Sequence, residues 1–302
     1  MEQSAITGSP VIILNPVANR GKMRLYRDLA RQKAAGEQAE YIETTRPGEA
    51  REQTCRAASE GRPVIIVGGD GSVHEAVNGL LASGRRVPLG IVAAGSGNDF
   101  AWNTLKLPRD PAEAFERAFH GTLRDVDAGR VNGSYFANAF SVGLDADIAV
   151  AAHSLKRWPC MSGSRLYYSA ALKQLLFGYK RCPRLSYKFD DGEWTAMSRY
   201  VLLAVNNGPT YGGGFRINPT ADYTDGLFNI CALDYIPLLL ALKRLPVVKR
   251  GEHVDLPEAH FFQAKKVQII SQEQVNMQMD GETSSAQTYQ AEVLPGALWV
   301  RE

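Results

Sequence analysis

The sequence has few of the features that mark secreted or membrane-spanning proteins. Its four cysteines, Cys55, Cys160, Cys182 and Cys231, lie far apart and match no metal or redox spacing, so we expect reduced packing thiols and a cytoplasmic location. No segment approaches the roughly 20 apolar residues of a membrane span, and the first residues lack the positive cluster of a signal sequence. With 302 residues and a net charge of +2, the composition is that of an ordinary soluble enzyme, long enough for two domains.

Several common catalytic motifs are absent or incomplete. His74-Glu75 resembles the start of a zinc protease motif, but Asn78 stands where the second histidine belongs. The turn at 15–22 lacks the Walker pattern, and the signature motifs of protein kinases are missing. These absences argue against a zinc protease, a P-loop enzyme and a protein kinase.

A glycine-rich turn at 68–72 is the most informative segment that is present. It follows the apolar run 64–67, which suits a strand buried on both faces, and its glycines permit close approach of a charged ligand. Ser72 and Glu75 have the spacing of a capping box, so we expect a helix to begin at Ser72. The free amides of that helix end would attract a nucleotide phosphate, although a plain glycine turn is the alternative.

From Pro10 to about Arg124, short apolar runs alternate with helical patterns, which predicts a parallel sheet with crossover helices. Asp110 is expected to cap a helix that Pro111 begins and Gly121 ends. The expected strands are 11–14, 39–42, 64–67 and 89–92, and the expected helices are 22–35, 48–59 and 72–82.

After Asp125 the pattern changes to antiparallel sheet. Asn132-Gly133 and Asp191-Gly192 each lie between two strand patterns, as in β-hairpins. Later strands are expected at 227–233, 267–271, 275–279 and 298–301. We therefore predict an α/β fold with a parallel-sheet nucleotide-binding domain at 1–127, to which residues 290–302 can return, and an antiparallel β-sandwich domain with a helical insertion at 128–289.

Two further turns are expected at the same sheet edge as the 68–72 turn. Segment 15–22 follows the first strand, and segment 94–100 follows the fourth. The carboxyl ends of parallel strands are where α/β sheets bind ligands. Three such turns on one edge are unlikely to be a coincidence, and they favour a nucleotide-binding site.

Carboxylates in the second half are candidates for metal binding and acid–base chemistry. Asp222 and Asp225 follow the glycine-rich loop 211–215, and such oxygens suit Mg²⁺, but the residues alone favour an Asx turn. Asp280 and Glu282 follow an alternating strand and could supply a general base, whereas Asp-Gly is also a common hairpin turn. The residues alone leave the second question open.

Two stretches lack acidic residues, 148–189 and 235–251, and combine basic with apolar or aromatic side chains. We predict that the basic parts, 153–188 and 235–251, make peripheral contact with an anionic membrane surface. A helix with a solvated basic face is the alternative. Nucleic acid is not favoured, because no recognition module is present.

Taken in order, the segments Asn15-Pro16, 68–72, 95–100, Asp225-Gly226 and 280–282 resemble the diacylglycerol kinase catalytic family, in particular the soluble bacterial lipid kinases of the NAD kinase/diacylglycerol kinase superfamily. The resemblance spans nearly the whole chain. It implies an α/β nucleotide domain, a β-sandwich domain and an active site in the cleft between them. It also implies ATP- and Mg²⁺-dependent phosphorylation of a lipid hydroxyl, as in phospholipid biosynthesis.

The resemblance also implies roles for particular residues. Asp280 matches the general base and Glu282 its acidic neighbour, while Asp70 and Asp99 would help to place metal and phosphates. Asp225, with backbone oxygens of Asp222 and Leu227, matches a structural magnesium site. The residues expected to contact the nucleotide are Asn15, Pro16, Val17, Ala18, Asn19, Thr44, Gly69, Asp70, Gly71, Ser72, Val73, His74, Glu75, Ser96 and Asn98.

Two departures from the family pattern keep other functions open. His74 replaces a common asparagine, and Trp102 occupies a position where bacterial members usually place arginine. An inactive nucleotide-binding membrane adaptor is one alternative, which Trp102 favours. A kinase of a soluble acceptor such as NAD or a sugar phosphate is another, because NAD kinases and phosphofructokinases also carry a Gly-Gly-Asp-Gly turn. The sequence fixes neither the acceptor lipid nor the oligomeric state, and a homodimer is compatible with it.

Overall fold

A computed structural model describes residues 8–155 and 173–302. Within these ranges the chain has a mixed α/β fold built on a 13-stranded sheet. The strands are β1 Val11–Leu14, β2 Glu40–Glu43, β3 Val64–Gly68, β4 Pro88–Ala93, β5 Leu123–Val131, β6 Ser134–Phe136, β7 Ala139–Gly143, β8 Arg184–Phe189, β9 Ser198–Asn206, β10 Phe228–Asp234, β11 Ala259–Ala264, β12 Lys266–Met279 and β13 Glu282–Arg301. The longer helices are α1 Arg24–Gly36, α2 Glu49–Ser59, α3 Asp70–Ala82, α4 Pro111–His120, α5 Leu144–Leu155 and α6 Leu238–Arg250.

The first four strands form a parallel sheet in the order β2-β1-β3-β4. All four residues of β1 are buried because helices cover both faces of this sheet. Ile13 belongs to the core under α2 and α3. Ile12 belongs to the core under α1 and α4. Burial on both faces is the reason that these strands read as continuous apolar runs.

Helix α3 begins at Asp70, so the prediction of a start at Ser72 is wrong. Gly69 is the N-cap residue in an extended conformation, and its carbonyl already accepts hydrogen bonds from the amides of Ser72 and Val73. The expected capping box is therefore absent. By contrast, the Asp110 side chain accepts a hydrogen bond from the Glu113 amide at 3.0 Å, which confirms the predicted cap of α4.

The second half is antiparallel, and its last strand joins it to the first half. Strand β13 pairs with β12 and β5 and then runs parallel to β4, with Trp299 opposite Pro88. Residues at the chain's carboxyl end therefore extend the parallel sheet, which brings the turns of both halves close together.

Several details of the second half differ from the sequence predictions. The two strands expected at 267–271 and 275–279 are one strand, β12, whose pairing is interrupted between Ile270 and Val275. Strand β11 was not expected. The hairpin at 132–133 is confirmed by the pairing of β5 with β6. At 191–192 the return strand β9 begins only at Ser198.

The cysteines and helices of the described ranges can be compared with two expectations from the sequence, packing thiols and no membrane span. Cys55, Cys182 and Cys231 are free thiols, while Cys160 lies outside the described residues. Burial raises the pKa of Cys182 to about 12, as suits a packing thiol. In the described ranges, the helices are all too short or too polar to cross a bilayer.

The contact of β4 with α4 gives a stability prediction. A Cβ on Gly90 would lie 2.4 Å from the carbonyl oxygen of Ala118, so Gly90→Ala should lower the free energy of unfolding by about 1 to 3 kcal/mol. Gly36→Ala, where a Cβ meets no atom within 4 Å, is the matched control and should change it by less than about 1 kcal/mol. Urea unfolding measures both, and equal effects of the two variants would contradict this packing.

Candidate functional site

Three turns lie side by side at the carboxyl ends of β1, β3 and β4, since these strands are neighbours in the sheet. The two glycine-rich turns touch through their backbones. A Cβ on Gly95 would lie 2.5 Å from the Cα of Gly69, so a side chain at Gly95 would separate the turns.

Asp70 ties these two turns together. Its carboxylate accepts hydrogen bonds from the amides of Asn98, at 2.7 Å, and Asp99, at 3.1 Å. Burial is the main cause that raises the pKa of Asp70 to about 6, with the negative charges of Asp99 and Asp280 adding to it and the Asn98 amide opposing it. Asp70 is therefore an anchor for the turn that follows β4.

That turn, residues 94–99, is held in one conformation by its own side chains. Asn98 has a left-handed backbone, with φ of 58°, and its side-chain amide bonds both the N–H and the carbonyl of Gly95. Ser96 is exposed at the tip. Within the described ranges, the backbone amides of Gly71, Ser96 and Gly97 donate no hydrogen bond, so they are free to bind a ligand.

Asp99 connects the same turn to the second half of the chain. Its buried carboxylate accepts hydrogen bonds from the Asn103 side chain and from the backbone amide of Gly213, both at 2.7 Å. The glycine-rich loop 211–215, read from the sequence as a flexible segment near a cation site, is thus attached to the turn after β4.

The turn after β1 lies against α3. Asn15 donates from its side-chain amide to the Ser72 hydroxyl at 2.9 Å and accepts from the Val17 amide at 3.1 Å. Pro16, Val17, Ala18 and Asn19 form the rest of the turn, in which Val17 is 77 % exposed. The structure therefore brings this turn to the start of α3.

Three of the expected nucleotide contacts face elsewhere in this structure. Glu75 accepts hydrogen bonds from the amides of Gly48 and Ala50, so its carboxylate caps the start of α2. Val73 packs in the core beneath the sheet. The buried Thr44 hydroxyl donates to the carbonyl of Leu14, though at the long distance of 3.5 Å.

Asp280 and Glu282 come from the β12–β13 turn and face the start of α3. The Asp280 carboxylate accepts three backbone hydrogen bonds, from Ala137, Asn138 and Ala139, at 2.7 to 3.1 Å. Glu282 is exposed, and its Oε1 lies 3.8 Å from the position that a Cβ on Gly71 would occupy. Both carboxylates therefore lie close to the first turns of α3.

His74 lies one helical turn after Asp70 and also faces Asp280. Its Nδ1 atom is 3.9 Å from Oδ2 of Asp280, and it is buried without a hydrogen-bond partner. Its Nε2 atom is 3.3 Å from the side-chain nitrogen of Asn78.

The residues of the expected metal site lie in loop 222–227. One Asp222 oxygen accepts hydrogen bonds from the backbone and hydroxyl of Thr224, and one Asp225 oxygen accepts from the Leu227 amide. Burial, aided by the charges of Asp222 and Asp127, raises the pKa of Asp225. In the part of the chain that the structure describes, His, Cys, Asp and Glu side chains form no group of three that could hold a metal. The expected site uses backbone oxygens and does not need such a group.

An apolar cavity of about 190 Å³ lies between α5, α6 and β9. One wall holds Asp145, which is buried and accepts hydrogen bonds from the hydroxyls of Ser141 and Tyr211, at 2.5 and 2.7 Å. Tyr211 also begins the loop whose Gly213 bonds Asp99. Asp145 was not predicted from the sequence, although the two acidic residues of the otherwise uncharged segment 139–152, Asp145 and Asp147, are a signal for it.

The basic stretches are only partly within the described residues. Outside the described residues lie Lys156, Arg157, Trp158, Arg165, Tyr167 and Tyr168. Lys180, Arg181, Arg184 and Arg199 line a second, polar pocket. Helix α6 exposes Leu239, Leu242 and Leu245 and ends in Lys249 and Arg250.

Trp102 lies in the helical turn that follows Asp99. Its ring is covered by the guanidinium of Arg109, at 4.8 Å from the ring centre, and it packs against the core under α3. The positive charge of Arg109 therefore lies against the Trp102 ring.

Comparison with known proteins agrees with this arrangement. Residues 9–131 match the diacylglycerol kinase catalytic domain, and residues 138–302 match the YegS C-terminal NAD kinase beta sandwich-like domain. The chain is 36% identical over 256 residues to the "Probable lipid kinase YegS-like" protein of Chromohalobacter salexigens, covering 81% of this chain and 78% of that one. It is 29% identical over 275 residues to the diacylglycerol kinase of Bacillus subtilis, covering 90% and 88%.

A solved structure has the same fold. The crystal structure of a diacylglycerol kinase from Bacillus anthracis superposes with a TM-score of 0.74 at 22% identity, covering 97% of this chain and 96% of that one. The chain therefore belongs to the diacylglycerol kinase catalytic-domain family, in the YegS-like group that carries the β-sandwich-like C-terminal domain.

Proposed function

We propose that this protein is an ATP-dependent lipid kinase that phosphorylates the hydroxyl of diacylglycerol or a related lipid. One observation carries the proposal: the amides of Gly71, Ser96 and Gly97, which donate no hydrogen bond, lie at the sheet edge where α3 begins, and α3 also faces the Asp280 carboxylate through His74. This arrangement has a place for a phosphate chain on one side and a proton acceptor on the other. Family membership and the named relatives agree with it.

The nucleotide binds at the carboxyl edge of the parallel sheet. The amides of Gly71, Ser96 and Gly97 and the positive end of α3 hold the phosphates. Asp70 acts indirectly, because its oxygens already bind the amides of Asn98 and Asp99 and thereby fix the shape of the cradle. Phosphoryl transfer depends mainly on such positioning and on neutralisation of charge.

Asp280 takes the proton in this mechanism. The lipid hydroxyl oxygen forms a bond to the terminal phosphorus of ATP, the bond from that phosphorus to the bridging oxygen breaks, and ADP leaves with its electron pair. The hydroxyl proton passes to Asp280, whose position is fixed by three amides of the loop before β7. Glu282 lies beside the start of α3, where it helps to close the site.

Magnesium fits two places. A magnesium ion bound with the nucleotide would neutralise the charge of the phosphates. In loop 222–227, an Asp225 carboxylate with raised pKa beside Asp222 and Asp127 forms a concentration of negative charge that a cation would relieve. Asp225, with backbone oxygens of Asp222 and Leu227, would hold this structural ion.

The acceptor is a lipid because the second half offers apolar surface beside the cleft. The apolar cavity between α5 and α6 suits an acyl chain, and Tyr211 links its wall to the loop bound by Asp99. The exposed leucines and basic end of α6 suit peripheral contact with an anionic membrane from the cytoplasm. In this proposal residues 1–127 with the end of β13 bind nucleotide, and 128–289 bind lipid.

A kinase assay tests the function. Wild-type protein with labelled ATP, Mg²⁺ and dioleoylglycerol in anionic micelles should form phosphatidic acid, and Asp280→Asn should lower kcat by about 10² to 10⁴. Asp191→Asn changes an exposed hairpin aspartate and should behave as wild type. Transfer only to NAD or sugar phosphates, or ATP binding without turnover on any acceptor, would refute a lipid kinase.

Filling the apolar cavity tests where the acyl chain binds. Ile148→Trp places a larger ring in the cavity wall and should raise KM for dioleoylglycerol about tenfold with little change in KM for ATP. Val254→Trp, at an exposed position, is the control. Unchanged lipid KM in folded Ile148→Trp would place the acyl chain elsewhere.

The raised pKa of Asp70 predicts a pH signature in stability. Because the folded pKa of about 6 exceeds the ordinary pKa of an aspartate in an unfolded chain, the folded state gains the proton first, and acidification stabilises it through Asp70. Asp70→Asn lacks this proton uptake. Between pH 7 and pH 5, wild type should therefore gain about 1 kcal/mol of unfolding free energy relative to Asp70→Asn. Urea unfolding at both pH values measures this, and a constant difference would contradict it.

A further inference from the structure

Asn78 determines which nitrogen of His74 carries the proton. The Asn78 side chain accepts a hydrogen bond from the Tyr135 amide at 3.0 Å and donates to the Tyr135 carbonyl at 2.8 Å, so its orientation is fixed by the backbone. The two hydrogens of its amide nitrogen go to the carbonyls of Tyr135 and His74, at 2.8 and 2.9 Å, and this nitrogen lies 3.3 Å from Nε2 of His74. Because that nitrogen cannot accept, a proton on Nε2 would face a donor, so we assign the proton of the neutral ring to Nδ1, which faces Asp280.

Asp280 has one acceptor position left. A carboxylate offers about four lone-pair sites. Oδ1 accepts from the amides of Asn138 and Ala139, and Oδ2 accepts from Ala137. The remaining site is therefore on Oδ2, the oxygen that His74 faces.

The Nδ1–H of His74 is a buried donor without a partner, 3.9 Å from Oδ2. This separation is too long for a direct hydrogen bond. It matches a hydroxyl oxygen placed about 2.8 Å from both atoms, which would subtend an angle of roughly 90° at that oxygen. A group that donates to Asp280 and accepts from His74 would satisfy both.

We propose that His74 and Asp280 together bind the acceptor hydroxyl, a specificity role for His74 that rests on the proposed lipid kinase function. The hydroxyl donates its proton to Oδ2 and accepts a hydrogen bond from Nδ1, which leaves one lone pair directed at the phosphorus. In transfer the O–H bond breaks to Oδ2, the O–P bond forms, and ADP leaves with the electron pair of the broken P–O bond. His74 keeps its proton throughout. The pair selects a hydroxyl over an ammonium group, which cannot accept from Nδ1.

Two substitutions distinguish the effect of the Nδ1–H donor from the effect of the volume of the ring. His74→Leu keeps much of the volume but removes the donor, and should lower kcat/KM for dioleoylglycerol about tenfold with KM for ATP changed less than about twofold. His74→Asn can place an amide nitrogen where Nδ1 lies and should stay within about threefold of wild type. His120→Asn, at an exposed surface histidine paired with Glu37, is the control.

The outcome is decided by comparing folded variants. His74→Leu with wild-type kinetics, or His74→Asn as slow as His74→Leu while both unfold at the wild-type urea concentration, would overturn the proposal. If Asp280→Asn loses activity while His74→Leu keeps wild-type kinetics, the lipid kinase function stands and the proposed role of His74 is overturned.

A binding measurement keeps the inference separate from turnover. In protein with ¹⁵N-labelled histidine, the Nδ1 resonance of His74 should indicate a protonated nitrogen and should shift when dioctanoylglycerol micelles are added. Asp280→Ala should lose the shift, because the hydroxyl then lacks its acceptor. An unprotonated Nδ1, or no shift with wild type, would overturn the inference whether or not phosphate is transferred.

Discussion

The carboxylate of Asp70 is the constraint on which the site depends. It binds two successive amides of the turn after β4, so the turns that follow β3 and β4 move as one unit. Their backbones touch at Gly69 and Gly95, which leaves no room for a Cβ. The cost is a negative charge held in a buried position, which is why its pKa rises.

Other aspartate carboxylates also hold loops by accepting hydrogen bonds from backbone amides. Asp99 binds the amide of Gly213, Asp280 binds three amides before β7, and buried Asp127 binds the amides of Gly226 and Gly296. Each carboxylate joins segments distant in sequence. The aspartates thus hold in place the loops that carry the motifs, and loops of the two halves are joined through them.

Much of the fold could be predicted from the sequence, because burial on both faces leaves continuous apolar runs, as in β1 and β3. The predicted turns also lie together, since parallel strands end at one edge. Hydrogen-bond partners that lie far apart in the sequence could not be predicted. Glu75 has capping-box spacing but caps α2, because the packing of α2 on α3 brings Gly48 near it. The alignment of His74 with Asp280 depends on β13 returning beside β4, which no local pattern specifies.

We propose that the unpaired amides of Gly71, Ser96 and Gly97 bind the phosphates of ATP. Amide NMR spectra of the protein, recorded with and without Mg²⁺ and a non-hydrolysable ATP analogue, test this binding. We expect large shifts at these three amides, with smaller ones at the turn after β1. Binding of the analogue that leaves all three resonances unchanged would contradict it.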